Sequence, residues 1–108
     1  MASFFMLAGT VSTEKTLADI EKLLIDNGFQ FKTDDDEIFV KSSSNLTFRS
    51  GFGHEYIVVA DAQEQTTLTT ESRLLSDSLK QNQIKHEFEL YDRANELYEV
   101  IEFSPKDD

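Results

Sequence analysis

The sequence predicts an α+β domain: a mainly antiparallel sheet of about six to seven strands with two helices packed on one face, ordered β-α-β-β-β-β-α-β-β. Three observations carry that reading. Tyr56-Ile57-Val58-Val59-Ala60, at the midpoint of the chain, is apolar at five consecutive positions and reads as the central strand. Leu17, Ile20, Leu23 and Leu24 recur at steps of three and four, the spacing of an amphipathic helix lying on a sheet. Phe29 to Thr33 and His86 to Tyr91 alternate apolar with polar, as strands with one wet face do.

Taken in order, the first strand covers Ser3 to Val11 and contains the continuous run Phe4-Phe5-Met6-Leu7-Ala8. Ser12 and Thr13 offer oxygens for a helix N-terminus, with Glu14 in the first turn where the helix dipole favours negative charge. Gly28 suits the C′ position because it adopts a left-handed conformation without a Cβ clash, and Phe29 can fold back on the last turn. A meander follows from Phe29 to Ala60. Asp34-Asp35-Asp36 turns into Glu37-Ile38-Phe39-Val40-Lys41, Ser42 to Asn45 turns again, and Leu46-Thr47-Phe48 is a short strand before the central run. The polar stretch Ala62 to Thr67 has no assignment. Thr69 or Thr70 caps a second helix reaching Asn82, with Leu74, Leu75 and Leu79 facing the core and Leu68 stapling its entry. Ile84 to Phe103 reads as a hairpin turning at Asp92 to Asn95, and Ser104 to Asp108 as a charged, frayed tail. Because the central strand is apolar at every position, cover is expected on both of its faces.

The second half begins about 52 residues after the first, with Phe4 to Ala8 answering Tyr56 to Ala60. This tandem of strand-helix-three-strand units resembles the topology of the glyoxalase and bleomycin-resistance family, with one strand missing. Metal-binding members of that family use His and Glu on inner strands. The first strand here has neither, so the resemblance implies no metal site, and one open sheet with both helices on one face is the simpler architecture.

At 108 residues, the chain fits one domain with a core of ordinary size. The absence of cysteine removes disulfides, thiolate metal sites and cysteine nucleophiles, and fits a reducing, cytoplasmic setting. The N-terminal apolar run lacks a basic flank and is too short to span a bilayer, which takes roughly 20 residues. The balance of 21 acidic against 10 basic residues, a net charge of −11, repels nucleic-acid phosphate and anionic lipid and attracts basic protein surfaces.

No motif argues for an enzyme. His54 and His86 lack ligand or triad spacing, and there is no G-x-S-x-G elbow, phosphate loop or S-x-x-K. Asp34 to Glu37 are consecutive carboxylates without the alternate spacing and glycine of a calcium loop, so they read as a solvated hairpin tip. No cofactor is called for. Acid and aromatic residues alternate on the C-terminal hairpin: Glu87, Glu89 and Tyr91 share one face, and Tyr98, Val100 and Glu102 share a face of the returning strand, with Glu96 just before it. Phe52, between two glycines, is a further candidate anchor. These residues point to a binding module, of inhibitor or immunity type, acting on a protein with a basic surface. The alternative is a small-ligand or enzymatic module, dimeric, with a pocket between sheet and helices near His54.

Overall fold

The computed structural model describes residues 4–41 and 44–105. Its elements follow the predicted order: β1 (Phe5–Ser12), α1 (Leu17–Asp26), β2 (Phe31–Asp34), β3 (Glu37–Val40), β4 (Thr47–Ser50), β5 (Glu55–Ala62), α2 (Gln65–Gln81), β6 (Lys85–Tyr91) and β7 (Leu97–Phe103). The strands form one antiparallel sheet in the order β2-β3-β4-β5-β1-β6-β7. The expected start of β1 at Ser3, the turn at Ser42 and Ser43, and the last three residues of the expected tail lie outside the described residues.

The two halves interleave. β1 and β5 are antiparallel neighbours at the middle of the sheet, and each fills the gap in the other's crossover. Thus β5-α2-β6 spans β1, while the path from β1 through α1 to β4 spans β5. The halves therefore correspond as strand, helix, strand. The β2-β3 hairpin is inserted before β4 in the first half, and β7 is appended after β6 in the second.

Register explains the core. Leu7 and Val11 of β1 lie opposite Ala60 and Tyr56 on one side and Leu90 and His86 on the other, so these side chains share a face. That face also holds Val58, Phe48, Ile38 and Val40, and it packs against Ile20, Leu23 and Leu24 of α1 and Leu68, Leu75 and Leu79 of α2. Phe88 sits directly over Gly9, where a Cβ would lie 2.5 Å from its ring. Truncating Phe88 to Ala should cost about 3–5 kcal/mol.

The helix boundaries differ from expectation for identifiable reasons. α1 starts at Leu17, not after Thr13, because Thr16 and Asp19 form a reciprocal capping box, with Asp19 N–H donating to Thr16 Oγ1 at 3.3 Å and Thr16 N–H to Asp19 Oδ2 at 3.0 Å. These hydrogen bonds hold the Asp19 carboxyl below its usual pKa. α2 starts at Gln65, within the unassigned polar stretch, so neither Thr69 nor Thr70 is its cap. Its buried stripe includes Ser72 and Ser76 between Leu68, Leu75 and Leu79, which a count of apolar residues alone does not reveal. Leu74 lies off that stripe and is exposed, contrary to the expectation that it faces the core.

Both helices end in the same way. At α1, Phe29 N–H bonds to Leu24 C=O and Gly28 N–H to Ile25 C=O. At α2, Ile84 N–H bonds to Leu79 C=O and Gln83 N–H to Lys80 C=O. Each is a Schellman close with a left-handed C′ residue, Gly28 at φ 82° and Gln83 at φ 57°. Only the second carries the cost of a Cβ there. We expect Gly28→Val to lower stability by about 1–2 kcal/mol although open space surrounds the site, and Gln83→Gly to raise it by about 0.5–1 kcal/mol. Urea denaturation midpoints at constant m-value provide the measurement, and an unchanged Gln83→Gly midpoint would contradict the cap assignment.

Candidate functional site

Both helices cover one face of the sheet, and among the described residues no helix covers the opposite face. This corrects the expectation that the central strand is sheltered on both sides. In β5, Val58, Ala60 and Ala62 are buried, whereas Ile57 is 38% exposed and Val59 only half-buried. Register lays two complete rows across the open face. One runs Lys32, Phe39, Thr47, Val59, Ala8, Glu89, Val100, and the other Asp34, Glu37, Arg49, Ile57, Thr10, Glu87, Glu102. Of the nine exposed large apolar side chains among the described residues, Met6, Phe39, Ile57, Leu97 and Val100 belong to this face, so the exposure is concentrated there. A shallow depression of about 280 Å³ at its middle is lined by Ala8, Thr10, Ile57, Val59, Glu87 and Glu89.

The acid is unevenly placed on this face. The β2-β4 half carries Lys32 and Arg49 among its carboxylates, while the β6-β7 half carries Glu87, Glu89 and Glu102 against one cation, Lys85 at the start of β6. Glu87 stands directly opposite Glu102, an unfavourable like-charge pair. Neither forms an ion pair among the described residues; the bidentate bridge of Arg73 to Glu99, at 2.7 and 3.1 Å, lies on the helix side. Desolvation and then the Glu89 charge push the Tyr91 phenol pKa up. Carboxylates also stud the helices and turns, so charge alone does not distinguish the face. Acid beside uncovered apolar surface does.

The predicted site residues converge in part. Glu87, Glu89, Tyr91 and Glu102 lie together on the open face. Tyr98 does not, because the register shift between Leu90 and Tyr91 turns it to the helix side. There its hydroxyl meets Thr69 Oγ1 at 2.9 Å and its ring stands edge-on to Phe5. Glu96 is exposed in the β6-β7 turn, where Asp92 Oδ1 accepts from its N–H. Phe52, 95% exposed, tips the β4-β5 turn at the other end of the strands. Sequence reasoning missed the apolar middle, Ala8, Ile57 and Val59; their consecutive apolar neighbours made them look buried.

The histidines have different surroundings. His54 is exposed in the β4-β5 turn and lines neither the central depression nor the cavities beside α2. His86 is buried on the core side, its Nδ1 2.9 Å from the Ile84 carbonyl and its Nε2 2.6 Å from Ser76 Oγ, between the Phe88 and Phe103 rings. Nδ1 therefore donates and Nε2 accepts, which fixes the neutral tautomer. Among the described residues, no cluster of His, Asp and Glu is placed to hold a metal ion, and no helix is long and apolar enough to cross a membrane. Comparison with protein-family models, curated proteins and solved structures finds no match.

Burial lowers the His86 pKa, the Ile84 hydrogen bond opposes that shift and Lys80 adds to it. The unfolded chain then binds the proton more readily than the folded one. The stabilising contribution is fully present above the unfolded value of about 6.5 and is lost as pH falls below it through the folded value. Urea midpoints should fall between pH 7.5 and 5.5 for the native chain, and His86→Gln should flatten that dependence. Equal slopes in the two proteins would show that His86 is not the group responsible.

Proposed function

We propose that the chain is a small acidic protein-binding module whose helix-free sheet face docks a protein with a basic surface. The observation that carries this reading is the coincidence, on one face, of uncovered Ile57, Val59, Met6 and Val100 with Glu87, Glu89 and Glu102, three carboxylates against the single cation Lys85. The apolar residues supply area that leaves water on docking, and Glu87, Glu89 and Glu102 steer and orient a cationic partner. By size and charge the module suits an inhibitor or immunity-type role, occluding a cationic surface such as that of a nucleic-acid-processing enzyme. A net charge of −11 disfavours direct contact with nucleic acid or anionic membrane. The absence of cysteine fits a cytoplasmic setting. Binding, not catalysis, is the activity read here.

Affinity capture from native lysate should retain a basic protein at low salt and release it at high salt, because exposed charges are screened within roughly 8 Å at physiological ionic strength. Glu87→Lys combined with Glu89→Lys should abolish that capture while leaving the melting temperature close to native. Undiminished capture by the double variant would rule this face out.

A further inference from the structure

β7 ends the sheet, and its outer backbone edge pairs with no strand among the described residues. At seven residues it is longer than β2, the four-residue strand at the opposite edge. Edge strands are normally blunted by charge, lysine above all, by proline, by bulges or by brevity, and the charges of β7 are the carboxylates Glu99 and Glu102, which do not repel a cationic strand. β7 has neither lysine nor proline within it, and its one irregularity lies at its first turn of pairing, leaving Val100 to Phe103 in regular register with β6.

A groove runs beside this edge. On the helix side, α2 and β7 enclose two depressions of about 490 and 210 Å³. Thr70, Tyr98 and Glu99 line the first, Asp77, Lys80 and Ile101 the second, and Arg73 both. On the open side, Val100 and Glu102 end the two cross-sheet rows, so an added strand would continue both. The position next to Glu102 is the one from which a cation would face the Glu87-Glu102 pair. A second copy of the chain would bring another net charge of −11 to the same edge, whereas a basic segment brings the opposite sign.

Building on the basic-partner reading above, we propose that the groove between α2 and β7 takes an extended segment of the partner as an eighth, edge-added strand. Main-chain hydrogen bonds to β7 supply affinity. The segment's outward side chains are basic, facing Glu102. Its inward side chains are apolar, packing beside Ile101 and Phe103 at the α2 groove.

A synthetic peptide of alternating lysine and valine, titrated into the isotopically labelled chain at low salt and followed by amide chemical shifts, tests this. Shift changes should follow β7 and the facing side of α2. N-methylation of alternate peptide amides should abolish binding, and Thr70→Trp, which fills the groove from an exposed helix position, should weaken it. Glu102→Gln should weaken it about two- to five-fold, and an alternating glutamate-valine peptide should not bind. Shifts confined to Ala8, Ile57 and Val59, indifferent to N-methylation, would overturn the edge site while leaving the basic-partner reading intact. Absence of binding at low salt would also overturn it, and the lysate capture with Glu87 and Glu89 reversed would then judge that reading separately. Concentration-dependent doubling of mass by light scattering, with the free-chain β7 resonances broadened, would overturn it in favour of self-association.

Discussion

Everything in this molecule depends on one-sided burial. Seven strands spaced roughly 4.8 Å apart make a sheet some 30 Å wide, and two helices of ordinary diameter can cover one face of it but not both. All the long aliphatic side chains of α1 and α2 that face inward meet Leu7, Val11, Phe48, Val58, Phe88 and Leu90. β1 shows the consequence position by position. Its inward Leu7 and Val11 are fully buried, while its outward Ala8 and Thr10 are small or polar and tolerate water.

The same constraint shapes α2. A helix over the centre of a sheet must approach closely, and Ser72, Ser76 and Ser78 give it a narrow buried side. Ser76 spends its hydroxyl on His86, and Ser78 donates to the Leu74 carbonyl at 3.1 Å. Ser72 Oγ alone among the buried side-chain polar atoms of the described residues has no partner, which places it in the core for its size and not for its hydroxyl. Glu71 accepts from the buried Ser44 and ties α2 to the β3-β4 connection.

Much of this fold is legible in the sequence. The alternation of Phe88 and Leu90 against Glu87 and Glu89 gave the strand and its buried face correctly, because a period of two leaves no ambiguity once one residue is buried. Continuous apolar runs are less informative. Tyr56 to Ala60 reads the same whether both faces are covered or one is left for a partner, and only the positions of α1 and α2 distinguish the cases. Tyr98 shows a second limit. Parity counting assigns it with Val100 and Glu102, and one register shift at Tyr91 reverses it. The start of α2 was hidden for a third reason: a stripe completed by serines has helical geometry without hydrophobic signal.

Strand order then joins the open face to the open edge. Because α2 carries the chain from β5 across β1 to β6, the acidic hairpin is appended outside β1 and ends the sheet. Had β7 paired inside, Glu102 would lie between strands and a cation on a neighbour could neutralise it. At the edge, Glu87 and Glu102 repel each other with one flank unoccupied, and the apolar row through Val59, Ala8 and Val100 stops at the same place. Charge, apolar surface and a backbone edge that pairs with no described strand therefore meet along β7, and the proposed edge-added segment rests on all three together.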